Sequence, residues 1–377
     1  MLVAFLRVLC AVVVSLAALL VHPGSAAGAI DPPAVQVAAD EAEEVPAKRI
    51  LLYGDSLTMG FAGDWTWRYR LWRSLTASGT AFDFVGPRTD MLGYVSRRQF
   101  SQAYRDPEFD RDHASYGGMT FSKPLWEVAA LTNYYQPDVV VGQIGMNDLF
   151  KGLRTSAQVM DMWRTQITKV RVLRPQTSFV LVQLPQTWWY AVRVYNAGLA
   201  SVARELDLPQ SRVVTAVNPR WEPYKDTYDQ VHPSAAGERK MGDSVATALA
   251  SIGVGGGPVH GLVDPESSVV WAPTPVAQVV SGTLTVSWPA VDYAYKEDVY
   301  VVDVTGGPPI GDPLARARVT GTTWSMPAQA GHTYEVWLAP VKGYLPMGTR
   351  SATVTVETTT WARPASTLWK RARRTSK

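Results

Sequence analysis

The chain has 377 residues, with 36 Lys and Arg, 33 Asp and Glu, and a single cysteine. That length suits about two domains, and one cysteine excludes a disulfide scaffold or a thiolate metal site. The formal charge of +3 is uneven: residues 361–377 hold six basic residues and no acid. The remainder is therefore net acidic and carries no nucleic-acid signature.

Residues 1–29 read as an export signal. Arg7 precedes an apolar run over 8–21, interrupted only by Ser15, and Ser25-Ala26-Ala27-Gly28-Ala29 offers cleavage after Ala27 or Ala29. The run is short of the ~20 residues of a membrane span. The expected product is secreted, and it loses Cys10 with the signal. Residues 30–47, rich in Ala, Pro, Val and Glu, read as a flexible lead-in.

From 48 to 251 the pattern alternates. Strands are expected over 49–53, 81–86, 138–145, 177–183 and 212–217, and helices over 65–75, 124–131, 156–173, 195–206 and 235–250. The unbroken apolar stretch Val139-Val140-Val141 suits a parallel strand covered on both faces. The expected fold is α/β, a three-layer doubly wound parallel sheet, which binds ligands at the C-terminal ends of its strands. The polar clusters 54–57, 145–148 and 229–232 fall at such ends.

Residues 252–272 read as a linker, with a glycine-rich hinge at 253–257. Short alternating runs over 273–358 predict a small all-β sandwich. Trp288 and the Tyr334-Glu335-Val336-Trp337-Leu338-Ala339-Pro340 run make it similar to a fibronectin type III domain. A plain spacer is the favoured role, a binding module the other. Residues 359–377 form a basic tail that reads as a solvated end, with contact to a cell wall or another anionic polymer as its alternative role.

Gly54-Asp55-Ser56-Leu57 follows the first strand. A serine hydroxyl at its free pKa is a poor nucleophile and needs a base, itself oriented by a carboxylate. Asp229-Gln230-Val231-His232 supplies both, three residues apart in a loop. His113 is the other histidine of the α/β region. Acyl transfer also needs oxyanion donors. Asn147, in Gly145-Met146-Asn147-Asp148, can aim its amide into the cleft. A glycine of Tyr116-Gly117-Gly118-Met119 can offer a bare N–H, with a tight turn as the simpler reading of Gly117. The Ser56 N–H is the third donor.

Together these blocks resemble the SGNH (GDSL) hydrolase superfamily. The resemblance covers residues 50–250 and implies Ser56, Asp229 and His232 as the catalytic residues. It places the oxyanion hole at Ser56, Gly118 and Asn147, and it implies no metal or cofactor. Phe84-Val85-Gly86-Pro87 and the block containing His113 look more like the secreted carbohydrate esterases of the superfamily. The implied protein is a secreted serine esterase acting on a short-chain ester or an acetylated polysaccharide. The alternatives are a lipase or lysophospholipase, whose substrate is a lipid, and an inactive cell-wall-binding protein. Two features stay outside this set. Asp106, Glu108, Asp110 and Asp112 lack EF-hand spacing and read as a solvated loop. Trp188-Trp189-Tyr190 reads equally as core and as a platform for a sugar face or an acyl chain.

Overall fold

The computed structural model describes residues 46–359 except 62–63, 94–99, 102–103, 105, 123, 263–271, 291–295, 308–312, 343–344 and 347–349. The expected signal, nearly all of the lead-in and all but the first residue of the basic tail lie outside the described residues.

Strand β1 (Lys48–Gly54) leads into a single helical turn, α1 (Ser56–Met59), and then α2 (Trp67–Ala77). After β2 (Phe82–Val85) come three two-residue strands, β3 (Met91–Leu92), β4 (Phe100–Ser101) and β5 (Ala114–Ser115). Then follow α3 (Val128–Tyr135), β6 (Val139–Gln143), the short α4 (Met146–Phe150) and α5 (Ser156–Leu173). The α/β part ends with β7 (Ser178–Val182), α6 (Tyr190–Leu206), β8 (Val213–Ala216) and α7 (Ala235–Ala250).

The main sheet runs β2-β1-β6-β7-β8 with every neighbouring pair parallel. Every residue of β6 is buried, as a strand covered on both faces requires. Alternate residues serve opposite layers. Leu51, Val140, Phe179 and Leu181 pack with side chains of α3, α5 and α6. Ile50, Leu52, Val141 and Val182 pack with those of α2 and α7. This is the expected doubly wound α/β fold. Chain order breaks between β1 and β6, which creates a crevice beyond their C-terminal ends.

Local chemistry accounts for where the helices sit. Thr155 and Gln158 cap α5 reciprocally: the Gln158 N–H donates to Thr155 Oγ1 and the Thr155 N–H to Gln158 Oε1. Helix α3 lies four residues beyond its expected start. Its end is fixed by Gln136, left-handed at φ 49°, because Pro137 disfavours helical geometry in the residue before it. Helix α6 begins at Tyr190 rather than Tyr195, since the aromatic run before it hides the helical period.

The expected hinge at 253–257 is packed in its first half. Gly253, at φ +80°, turns the chain off α7, and Val254 donates to Leu249 O and is buried in the α2–α7 layer. The acidic run 106–112 is not simply solvated. Asp106 accepts from Tyr69 Oη at 2.6 Å and Asp110 accepts from the Phe84 N–H at 2.6 Å, strapping the segment to α2 and β2.

The C-terminal part is a β-sandwich. Strands β9 (Val276–Val280), β10 (Thr283–Ser287), β11 (Lys296–Asp303) and β12 (Ala315–Val319) are followed by β13 (Thr323–Pro327), β14 (Thr333–Lys342), β15 (Leu345–Pro346) and β16 (Val354–Glu357). One antiparallel sheet is β13-β10-β9; the other is β12-β11-β14 with β15 and β16 on β14. Leu284, Val286, Trp288, Val301, Val336 and Leu338 fill the space between them. Lys342, the last residue of β14, is fully buried and pairs with Asp64 of the α/β part.

Candidate active site

The Gly54-Asp55-Ser56-Leu57 turn is built residue by residue. A Cβ on Gly54 would fall 2.2 Å from Thr58 Oγ1 and 2.4 Å from Gln143 O, so only glycine lets β1 pass β6 and turn. Asp55 caps α1, its Oδ1 accepting from the Leu57 N–H at 3.0 Å. The turn is held from behind by Arg68, fully buried on α2. Its guanidinium donates to Thr58 O at 2.8 Å, Met59 O at 3.0 Å and Arg111 O at 3.0 Å. Ser56 is thus the first residue of a fixed turn, and an N–H in the first turn of a helix has no intrahelical partner.

His232 comes from the loop between β8 and α7. Its Nε2 lies 3.1 Å from Ser56 Oγ, and its Nδ1 lies 2.8 Å from Asp229 Oδ2. The other Asp229 oxygen accepts from the backbone N–H groups of Val231 at 3.1 Å and His232 at 2.7 Å. Burial by itself would raise the Asp229 carboxyl. The imidazole bond and charge, with these two N–H groups, outweigh it and hold the group down at about 2. The three side chains form one hydrogen-bonded line from carboxylate to hydroxyl. His113 cannot stand in for His232. It is fully buried, with Nε2 2.7 Å from Asp90 O and Nδ1 accepting from the Ser115 N–H at 3.1 Å. Burial, with Arg68 and Arg88 nearby, keeps it neutral.

The other expected residues gather around Asp55. Asn147, the second residue of α4, donates from Nδ2 to Asp55 Oδ2 at 3.0 Å and to Met119 O at 3.1 Å. It thereby ties the residue before Ser56 to the residue after Gly118. Both amide hydrogens are committed to protein acceptors rather than aimed into open cleft, so an oxyanion must displace one of these bonds. Gly118 occupies the positive-φ position of its turn, at +83°. A Cβ on Gly117 would instead meet the Leu92 side chain at 2.9 Å. Asp148 fixes the following loop, accepting from the Phe121 N–H at 2.8 Å, the Ser122 N–H at 3.1 Å and Ser122 Oγ at 3.1 Å. Burial pushes the Asp55 carboxyl up to about 7, against the Leu57 bond that lowers it and with the neighbouring Asp148 charge adding to the rise. At the rim, Trp189 packs on Phe150 with centroids 4.7 Å apart, and Gln186 Nε2 bonds Val231 O at 2.6 Å. The Trp188–Trp189 segment is thereby joined to the His232 loop.

Sequence reasoning missed a second group beside the site. Glu238 of α7 is almost fully buried and accepts from the Trp67 N–H at 2.6 Å, while Trp67 Nε1 donates to Leu57 O at 3.0 Å. Burial and the charge of Asp64 push Glu238 up to about 8. A carboxyl whose folded pKa lies above its unfolded value favours folding most at low pH and loses that contribution as pH rises toward the folded value. Glu238 therefore makes the fold less stable between about pH 4.5 and 8. A Glu238→Gln variant keeps an acceptor for Trp67 and should lose less Tm across that window. The difference should be on the order of 5 °C at pH 8 and near zero at pH 4.5. Identical melting profiles would contradict the assignment.

The family model described as GDSL-like Lipase/Acylhydrolase matches residues 52–240. The chain belongs to this GDSL family. The match runs from β1 to α7 and so includes every residue of the hydrogen-bonded line. A multidomain esterase from Ruminococcus flavefaciens is 26% identical over 218 residues, which cover 52% of this chain and 27% of that protein. The chain thus spans about a quarter of the length of that curated relative. Among solved structures, a carbohydrate esterase family 3 protein from Talaromyces cellulolyticus is 21% identical, with a TM-score of 0.46, over 54% of this chain and 97% of that one. A family 3 carbohydrate esterase from Clostridium thermocellum is 23% identical, with a TM-score of 0.45, over 55% of this chain and 96% of that one.

Proposed function

We propose that the protein is a secreted serine esterase that hydrolyses short-chain esters, with O-acetyl groups of a polysaccharide as its substrate class. The observation that carries the chemistry is the Asp229–His232–Ser56 line, with contacts of 2.8 and 3.1 Å. Ser56 Oγ attacks the ester carbonyl carbon and its proton passes to His232 Nε2. Asp229 holds the imidazole with its proton on Nδ1 and stabilises the imidazolium. The tetrahedral oxyanion is met by the N–H groups of Ser56 and Gly118. Asn147 joins them by exchanging its bond to Asp55 or Met119 for one to the oxyanion. His232 Nε2–H then protonates the departing alcohol, which leaves an acyl-Ser56 ester. Water, deprotonated by the same nitrogen, attacks that ester and releases the acid, and the proton returns to Ser56.

The short-chain and carbohydrate part of the reading is supported by Phe84-Val85-Gly86-Pro87 and the His113 block, which look like those of secreted carbohydrate esterases. Secretion is supported by the N-terminal signal pattern. The fibronectin type III-like reading of the sandwich is supported by its division into three strands against four, with β15 a short addition. It is also supported by the Gln329 N–H bonding Tyr334 Oη at 2.9 Å near the start of β14, the corner such sandwiches use. The basic tail suits an anionic polymer.

A panel of p-nitrophenyl acetate, butyrate and octanoate, run beside acetylated glycans, tests the substrate. The expected result is the highest kcat/KM on acetate and release of acetate from the glycan. Preference for octanoate would instead assign a lipase-type pocket, with the Phe150–Trp189 pair as its wall.

A further inference from the structure

Lys342 lies at the join between the sandwich and the active-site rim. It ends β14 on the strand's inward register, in line with Tyr334, Val336 and Leu338, and it is fully buried. Its ammonium pairs with Asp64 and sits 4.5 Å from the Phe61 ring centroid and 4.6 Å from that of Tyr228. These rings belong to the two segments that make the site. Phe61 closely follows α1, and its ring stands edge-on to the His232 imidazole at 4.7 Å and 83°. Tyr228 precedes Asp229. Its N–H donates to His232 O at 2.9 Å and its hydroxyl to Asp64 Oδ1 at 3.0 Å. One cation from the sandwich therefore holds the ring that backs the imidazole and the residue that leads into the Asp229–His232 loop. Desolvating an ammonium is costly, and a spacer has no need of it.

We propose that Lys342 is a positioning residue of the hydrolase, and that the sandwich is an integral part of the active site rather than a tethered module. The claim rests on the esterase reading above. Lys342 contacts Asp64, Phe61 and Tyr228. It acts through Phe61 and Tyr228, whose fixed places set the His232 ring against the nucleophile. Loss of its charge therefore affects the chemical step more than substrate binding, because a displaced base lowers the rate with the substrate subsites intact.

The test uses the full chain in two forms, Lys342→Met and the double variant Lys342→Met with Asp64→Asn. The double variant removes both charges of the Lys342–Asp64 pair and keeps an acceptor for Tyr228. Tm, kcat and KM on p-nitrophenyl acetate, and the rate of fluorophosphonate labelling of Ser56 are measured for each. The expected result is a fall in kcat of about 10- to 100-fold in both variants, an equal slowing of labelling, and KM within about threefold of the parent. The double variant should regain Tm without regaining rate. If Lys342→Met does not fold, the double variant decides alone. Parental kcat in either variant overturns the proposal, and so does a double variant that does not fold, which would make Lys342 a residue of folding only. Failure of the parent chain to label would instead sink the esterase reading beneath it.

Discussion

Ser56→Ala should abolish ester hydrolysis and leave the fold intact. The hydroxyl's place in the structure is its 3.1 Å contact with His232 Nε2. A single hydrogen bond of this kind is worth about 1 kcal/mol to stability, so Tm should move by no more than about 4 °C. The turn itself is held by Gly54, the Asp55 cap and the Arg68 clamp, none of which uses the serine side chain. Among the described residues, Ser56 Oγ is the hydroxyl set against His232 Nε2. In serine hydrolases loss of the nucleophile costs about 10⁶ in kcat, and what remains comes from the oxyanion donors and binding. Turnover of p-nitrophenyl acetate should therefore fall by about 10⁵- to 10⁶-fold, measured beside a melting curve of the same preparation. Retained turnover in a folded variant would remove Ser56 from the mechanism.

Asp229→Asn should be nearly as damaging, for a reason visible in the loop. Asp229 Oδ1 already accepts two backbone N–H groups, from Val231 and His232, while Oδ2 takes the imidazole Nδ1. An asparagine must keep its carbonyl oxygen on the two N–H donors, which turns its NH₂ toward Nδ1. The imidazole then accepts at Nδ1 and carries its proton on Nε2, where it can no longer take the proton of Ser56. A reversed tautomer of this kind costs about 10⁴ in kcat in the general triad case, and KM should change little. The carboxylate of Asp229, held at about 2, stays ionised down to well below neutral pH. An acid-side loss of activity in the parent chain near neutral pH would therefore not report the Asp229 carboxyl. Its depressed pKa also contributes stability that is present above the unfolded value of 3.8 and fades as pH falls toward 2. Asp229→Asn forfeits that contribution at neutral pH, so its melting curve must accompany its kinetics.

What could be read in the chain was chemistry set by local sequence. Gly54, Asp55 and Ser56 are neighbours, and Asp229 and His232 are three apart in one loop, so their relation survives without knowledge of the fold. The sheet was legible for a similar reason. Val139-Val140-Val141 announces burial on both faces, and α5 and α7 start where expected, at Ser156 and Ala235, with Thr155 and Ser234 as their caps in the structure. Asn147 was legible as a polar group at a strand end, yet the destinations of its two hydrogens depend on Asp55 and Met119 from other segments.

The hidden part of the site is held by partners far apart in sequence. Trp67 and Glu238 are separated by 171 residues, and Asp64 and Lys342 by 278. No periodicity links such pairs. One signal was nonetheless present. In β14 the inward register reads Tyr334, Val336, Leu338, Pro340 and Lys342, and a lysine on the buried parity of a strand needs a partner. Parity alone calls for a partner without naming it; the structure supplies Asp64 of the α/β part.

The central claim, an activated nucleophile at Ser56, is tested most directly by reacting the full chain with a fluorophosphonate and locating the adduct by peptide mass spectrometry. The expected result is one adduct per chain, on Ser56, formed quickly in the parent and lost in His232→Ala. An unlabelled protein, or an adduct on another residue, would contradict it.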